Sequence, residues 1–426
     1  MTNIVNLIER HERRLNTSIN LVASENLLSE DVRRALSSDV AARYCIPPEG
    51  ERPAAIWDYP NQAEVRQIAA DTAQLACELF HASYADVRPL SGNQVAQIVL
   101  TSLVARGDTV WSVPADRGGH FATPVIAAHE GLNLVPIPYD RSRGVIDVDA
   151  ARSLARTRPP NLVFLDASMQ LFPHPVAALR DAIGAEPIIS YDASHTMGLI
   201  AGGAFQAPLQ EGADLLHGST HKTLWGPQKG LITVRDDGAV ARRIADAVVP
   251  MFVSNIHVHH VAALGVALEE ARDFGAAYAL AVIANAKALA QALHSRGIDV
   301  PFAREGFTAS HQVLVDLGDR QQSLAAWHRL QRIGINTNAI SLPFREACGL
   351  RIGVAEATRR GMQAREMETL AGWIAQAIEA ADGWESLGSG VAEMSGRFTG
   401  ACFTRNAPRE TLAKPGQRSL AGMDAG

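Results

Sequence analysis

Short runs of consecutive apolar residues alternate along this chain with longer stretches in which apolar positions recur every three or four residues. That alternation predicts an α/β architecture: a mainly parallel central sheet with helices on both faces, followed by a smaller C-terminal α/β domain. The short runs DTVWSVP, NLVPIPYD, NLVFLDAS, PIISYDAS and DLLHGST read as strands, GLITVR alternates as another, and DVRPLSGNQ reads as strand, glycine turn and helix start. Residues 3 to 13 place Ile4, Leu7, Ile8 and His11 on one helical face. A helix so short is marginal alone in water, which predicts an arm that packs on a neighbour. Ser29 caps a helix beginning EDVRRAL. Gln62 to Phe80 is a long helix with Val65, Ile68, Ala69, Leu75, Ala76 and Leu79 as its apolar positions. From about Ala262 another long helix crosses into the smaller domain. There ANAKALAQALHSRGI is a helix, HQVLVDLGD a strand and AAWHRLQRIGI a helix. GLRIGVAEATRRGM is a closing strand and loop, and AREMETLAGWIAQAIEAA is an amphipathic helix. The expected division is 1–60 for an N-terminal arm and loop, 61–262 for a large domain and 263–404 for a small domain. Beyond Trp384 the composition turns to glycine, serine and arginine, and 405–426 is expected to be a flexible tail.

Composition narrows the function classes. The chain has 426 residues, 47% hydrophobic and 20% charged, with a net charge of −6. It carries no basic run for nucleic acid and no apolar stretch of about 18 residues to span a bilayer. Its start, MTNIVNLIERHERR, lacks a secretory pattern. Cys45, Cys77, Cys348 and Cys402 are scattered and read as free thiols. Together these features predict a soluble protein of a reducing cytoplasm.

The candidate chemistry gathers at strand ends, where open α/β sheets place ligands. PIISYDASH runs out of apolar residues at Asp192, with His195 three residues on. DLLHGSTHK ends in Ser219, Thr220, His221 and Lys222. A lysine closing a buried strand suits an amine that forms a Schiff base, provided something draws electrons from the carbon it activates. Asp192 suits that requirement, because a buried carboxylate can keep a pyridine nitrogen protonated and make pyridoxal phosphate an electron sink. Ser91-Gly92-Asn93 opens a helix, where free N–H groups favour a phosphate, although such a start is commonly only a cap. His257, His259 and His260 cluster without a cysteine or carboxylate to complete a metal site, so no metal is expected.

DASHTMGLIAGG and STHKTLWGPQKG resemble the cofactor segments of serine hydroxymethyltransferase, a fold-type I pyridoxal phosphate enzyme. The resemblance runs from LVASEN to GLRIGVAEATRRGM, with five motifs in order. It implies a mainly parallel seven-stranded sheet, pyridoxal 5'-phosphate on Lys222, and a homodimer with shared active sites or a higher oligomer of dimers. It further implies that His120, after Gly118-Gly119, stacks on the cofactor ring, and that Ser168 lies near the ring oxygen. Ser91, Gly92, Asn93, His195, Ser219 and His221 join the cofactor site. Ser24 reaches the substrate, and Arg351 binds its carboxylate through a guanidinium fork. Tyr44 reaches the neighbouring subunit's cofactor phosphate, and Tyr59 is the candidate active-site phenol.

The departures from the family sit together. Counted without a gap from Tyr44, the family's glutamate position holds Ile46, while Glu49-Gly50 recovers an acid if the loop slides by three residues. An apolar residue there removes the acid/base partner of folate-dependent transfer and puts tetrahydrofolate in doubt. Gln228 replaces an arginine, and Ser254-Asn255 with the histidine cluster replaces a glycine-rich loop. The leading expectation is folate-independent aldol chemistry, as in threonine transaldolases, which passes a glycyl unit from L-threonine to an aldehyde. The alternative is a serine hydroxymethyltransferase using tetrahydrofolate with Glu49. Aminotransferase or decarboxylase chemistry fits THK and Arg351 less well, and a non-catalytic binding protein would not need Lys222, Asp192 and His120 together.

Overall fold

The computed structural model describes residues 3–45, 59–379 and 382–407. Its centre is a seven-stranded sheet made of β1 (Tyr84–Asp86), β2 (Thr109–Ser112), β3 (Asn133–Pro136), β4 (Leu162–Leu165), β5 (Ile188–Asp192), β6 (Leu215–Ser219) and β7 (Gly230–Val234). The spatial order is β1-β7-β6-β5-β4-β2-β3. Five neighbouring strands, from β6 to β3, pair in parallel, and only β7 runs against its neighbours. Every residue of β4, β6 and β7 is buried. That burial explains why these strands read as continuous apolar runs rather than alternating ones.

Helix Gly92–Ser102 packs on β6 and β7, and helix Ala63–Phe80 packs on β1 and on a 37-residue helix, Val258–His294. The longer helix begins four residues before the expected Ala262 and absorbs ANAKALAQALH without a break. It is also long and apolar enough to cross a membrane, which the sequence reading found nowhere. Half of its most apolar window is buried inside the protein, as in a core helix. Glu270 on that helix is buried with Arg359, at 2.6 Å.

Beyond it, β8 (Gln312–Asp316), β9 (Asn338–Ser341) and β10 (Cys348–Gly353) form an antiparallel sheet in the order β8-β10-β9. EATRRGM, read as loop, begins with a helix, Ala355–Arg359, whose residues are all buried. Helix Ile4–Leu15 buries none of its residues, and Ile4, Val5, Leu7 and Ile8 are exposed. Ser29 caps Glu30–Leu36 as expected, its hydroxyl accepting from Val32 N. Arg405 bonds Glu269 and Asp273 on the long helix.

Because β1, β2, β4, β5 and β6 all point the same way, their carboxyl ends open on one edge of the sheet. Asp192 closes β5, and Ser91, the loop bearing His120, Asp166 and Lys222 lie just beyond the other ends. The fold thus collects residues that are far apart in sequence.

Candidate active site

That edge encloses a cavity of about 200 Å³. Ser91, Gly92, Asn93, His120, Ser168, Asp192, His195, Ser219, His221 and Lys222 all line it. Thr123, Asp166 and Ser194, which the sequence did not single out, line it too.

The Ser91 hydroxyl accepts from Gln94 N at 3.1 Å, and the Gln94 side chain in turn accepts from Leu90 N at 2.6 Å. This reciprocal pair is close to a capping box and holds the helix start open toward the cavity. Gly92 faces Ser219 so closely that an added Cβ would lie 2.8 Å from the Ser219 Cβ. At the next strand end, Gly118 has φ +90° and its carbonyl accepts from Ser168 N at 2.7 Å. A Cβ on Gly119 would fall 1.9 Å from the Val113 carbonyl oxygen. The two glycines let the loop fold under the sheet, and His120 N then donates to Asp166 O at 3.1 Å.

Burial sets the charge pattern. The Asp192 carboxylate accepts from Ser194 N at 2.7 Å, and Ser194 Oγ accepts from Ser219 N at 2.9 Å, locking β5 and β6 together at their ends. Burial drives Asp166 well above the usual carboxylate range despite its bond from the Thr123 hydroxyl. The imidazoles of His120, His195 and His221 are all pushed down, chiefly by burial, and His221 falls to about 4. They are therefore neutral at physiological pH. His195 stacks on His311 with ring centres 5.7 Å apart, and His311 Nε2 bonds the Ala23 carbonyl at 2.9 Å.

Lys222 is pushed down to about 8, because burial outweighs the attraction of Asp192 and the Arg351 charge adds repulsion. The free amine, not the ammonium, attacks a carbonyl. Capture of pyridoxal phosphate by the cofactor-free protein should therefore speed up about tenfold per pH unit below about 8 and level off above it. Stopped-flow absorbance checks this, and a rate still climbing tenfold per unit past pH 10 would place the amine at its ordinary value.

Four expected residues lie elsewhere. Arg351, on β10, donates to Asn338 Oδ1 at 3.2 Å while its buried Nε has no partner. It does not line the cavity, but its charge acts on Lys222 and His195. Ser24 lines an adjoining cavity of about 490 Å³ that also includes Gln228, and His221 lines both. Tyr44 and Tyr59 stack on each other with centres 5.4 Å apart, and neither lines the cavity of its own chain. Ile46, Glu49, Gly50 and Asp58 lie outside the described residues. His259 and His260 rings meet at 4.4 Å, and among the described residues no group of three His, Cys, Asp or Glu is placed to hold a metal ion.

The cavity suits pyridoxal phosphate on its own geometry. Ser219 Oγ and the Nδ1 atoms of His195 and His221 are buried with no partner. The start of helix Gly92–Ser102 lines the cavity, and a helix N-terminus there favours a phosphate. Asp192 and Lys222, both on its wall, would supply a carboxylate for the ring nitrogen and an amine for the aldehyde.

A sequence model described as serine hydroxymethyltransferase matches residues 1–374. Serine hydroxymethyltransferase from Methanopyrus kandleri is 39% identical over 384 residues, 88% of each chain. That from Archaeoglobus fulgidus is 38% identical over 411 residues, 93% of this chain and 91% of the relative. Among solved structures, L-threonine transaldolase from Pseudomonas fluorescens superposes with a TM-score of 0.90 at 31% identity, over 96% of this chain and 94% of that one. The family match, the relatives' near-full coverage and the fit of the cavity agree: the chain belongs to the serine hydroxymethyltransferase family, and it is a pyridoxal phosphate-dependent transferase.

Proposed function

We propose that this protein breaks and forms the Cα–Cβ bond of β-hydroxy amino acids without folate, passing the glycyl unit of L-threonine to an aldehyde. The observation that carries the bond-cleavage reading is the convergence of Lys222, Asp192 and the Arg351 charge on one edge of the sheet. Pyridoxal phosphate held by Lys222 supplies an electron sink for the pair left at Cα when the bond breaks. Arg351 binds the substrate carboxylate, and its unpartnered Nε leaves donor capacity for it. Fixing the carboxylate orients the Cα–Cβ bond for cleavage, which is a positional contribution to rate. The neutral imidazoles along the cavity can take up or return a proton at an unpartnered ring nitrogen. Tyr44 and Tyr59 complete the cavity of a second subunit in a homodimer, which is consistent with their stacking outside their own.

Folate independence is supported by Ile46 at the family's glutamate position and by the likeness to a threonine transaldolase structure. The names of the curated relatives favour a second reading, serine and glycine interconversion with tetrahydrofolate. Aldehyde release from L-threonine or L-serine, with and without tetrahydrofolate, separates the two. Fast acetaldehyde from threonine without folate, with transfer to an added aldehyde, is the expected result. Turnover of serine that appears only with folate would overturn it in favour of the second reading.

A further inference from the structure

The turn that carries Lys222 is held by contacts that reach well beyond the strand end where it sits. The Lys222 carbonyl oxygen accepts two hydrogen bonds, from Trp225 N at 3.2 Å and from Asn26 Nδ2 at 2.7 Å. The same Asn26 amide donates to the Tyr278 hydroxyl at 3.0 Å, and its oxygen accepts from Leu27 N at 2.8 Å. A carbonyl can only accept, so the amide has one orientation, with its nitrogen toward Lys222. The Tyr278 hydroxyl then donates to Ala355 O at 3.2 Å. Ala355 begins the helix directly after β10, the strand that holds Arg351. A chain of hydrogen bonds thus runs from the backbone of the reactive lysine, through the N-terminal segment and the long helix, to the base of the arginine strand.

Trp225 strengthens the connection. It sits at φ +53°, a left-handed conformation that is strained for a bulky side chain and persists only where surroundings over-determine it. Here Trp225 Nε1 donates to the buried Glu270 carboxylate at 3.1 Å, and the Arg359 guanidinium lies 4.5 Å over the indole ring. Tyr278 meets the indole edge-on at 4.4 Å. Tyr278 therefore touches both supports of the Lys222 turn, through its hydroxyl and through its ring.

We propose that Asn26 and Tyr278 are positioning residues for Lys222, forming a clamp that holds the lysine turn in register with the strand carrying Arg351. Neither lines the cavity that holds Lys222. Their effect is on where the amine sits relative to the bound carboxylate, and small displacements of that kind cost rate rather than affinity. The proposal rests on the reading of Lys222 as the cofactor's anchor.

The test compares holoenzymes carrying Asn26→Ala, Tyr278→Phe and both changes, with L-threonine as substrate. Asn26→Ala is expected to lower kcat about 10- to 100-fold with KM held within about threefold. It should keep full cofactor content and shift the midpoint of the pH titration of the visible cofactor band. Tyr278→Phe keeps the ring against Trp225 and should act in the same direction by a smaller factor. The double variant should be no slower than Asn26→Ala, since both changes break one chain. Unchanged kcat and band midpoint in Asn26→Ala would overturn the clamp. So would losses that merely track cofactor content or melting temperature, or effects that multiply in the double variant. Lys222→Ala serves as the control. If it keeps the visible band, the anchor reading itself fails; if it loses the band while Asn26→Ala behaves as wild type, only the clamp fails.

Discussion

Lys222→Ala is expected to abolish the visible absorption of the bound cofactor and to lower kcat/KM by at least about 10⁴-fold, the scale of losing a covalent catalytic residue. The expectation follows from geometry and charge together. Among the described residues Lys222 is the only lysine on the cavity wall, three residues beyond a strand that is buried throughout. Burial brings its amine to about 8, so an appreciable fraction is unprotonated near neutrality. Lys229, buried too, is also pushed down, to about 7, but its amine donates to the Pro89 carbonyl at 3.1 Å and does not line the cavity. Absorbance spectra and steady-state rates of the purified variant decide the matter. Retention of the band would move the anchor to another amine.

The second large effect is expected at Arg351. Arg351→Ala should raise KM for the amino acid by about two to three orders of magnitude while cofactor content stays near wild type, because truncation leaves the substrate carboxylate buried without its ion partner. Arg351→Lys should recover only part of the loss, since an ammonium does not present a planar fork. The position supports the split between substrate and cofactor effects. Arg351 lies on the antiparallel sheet of the C-terminal part, bonded to Asn338, and not on the cavity wall. Its charge nevertheless reaches Lys222 and His195. Titration with L-serine or L-threonine, followed through the cofactor spectrum, measures the affinity directly. An unchanged dissociation constant would assign carboxylate binding to another group.

Several features were legible in the residues because their causes are local. Ser91 caps its helix through a contact three residues away, and Ser29 does the same. The strands announced themselves as apolar runs since both faces of the sheet are covered. Asp192 and Lys222 stood out because a charged group ending such a run needs a reason to be there. Other features had no local signature. Asp166 carries no local signal beyond its place after an apolar strand, yet the Thr123 hydroxyl and the fold of the Gly118-Gly119 loop bury it on the cavity wall. His311 opens a strand of the C-terminal part and stacks on His195, more than a hundred residues earlier. The long helix passed for a shorter one because its start, at Val258, falls within the histidine cluster.

The sequence by itself determined the sheet, the order of its strands' chemistry along the chain and the candidate for the reactive amine. These follow from periodicity, capping and the cost of burying a charge, which act over a few residues. Only the tertiary structure decided which of the spaced groups meet. It brought Asn26 to a carbonyl 196 positions later and Arg351 within electrostatic reach of Lys222. It also held Trp225 in a left-handed turn against Glu270 and Arg359. Parallel strands point their ends to one edge, and contacts across that edge depend on how separate segments pack, which no local pattern encodes.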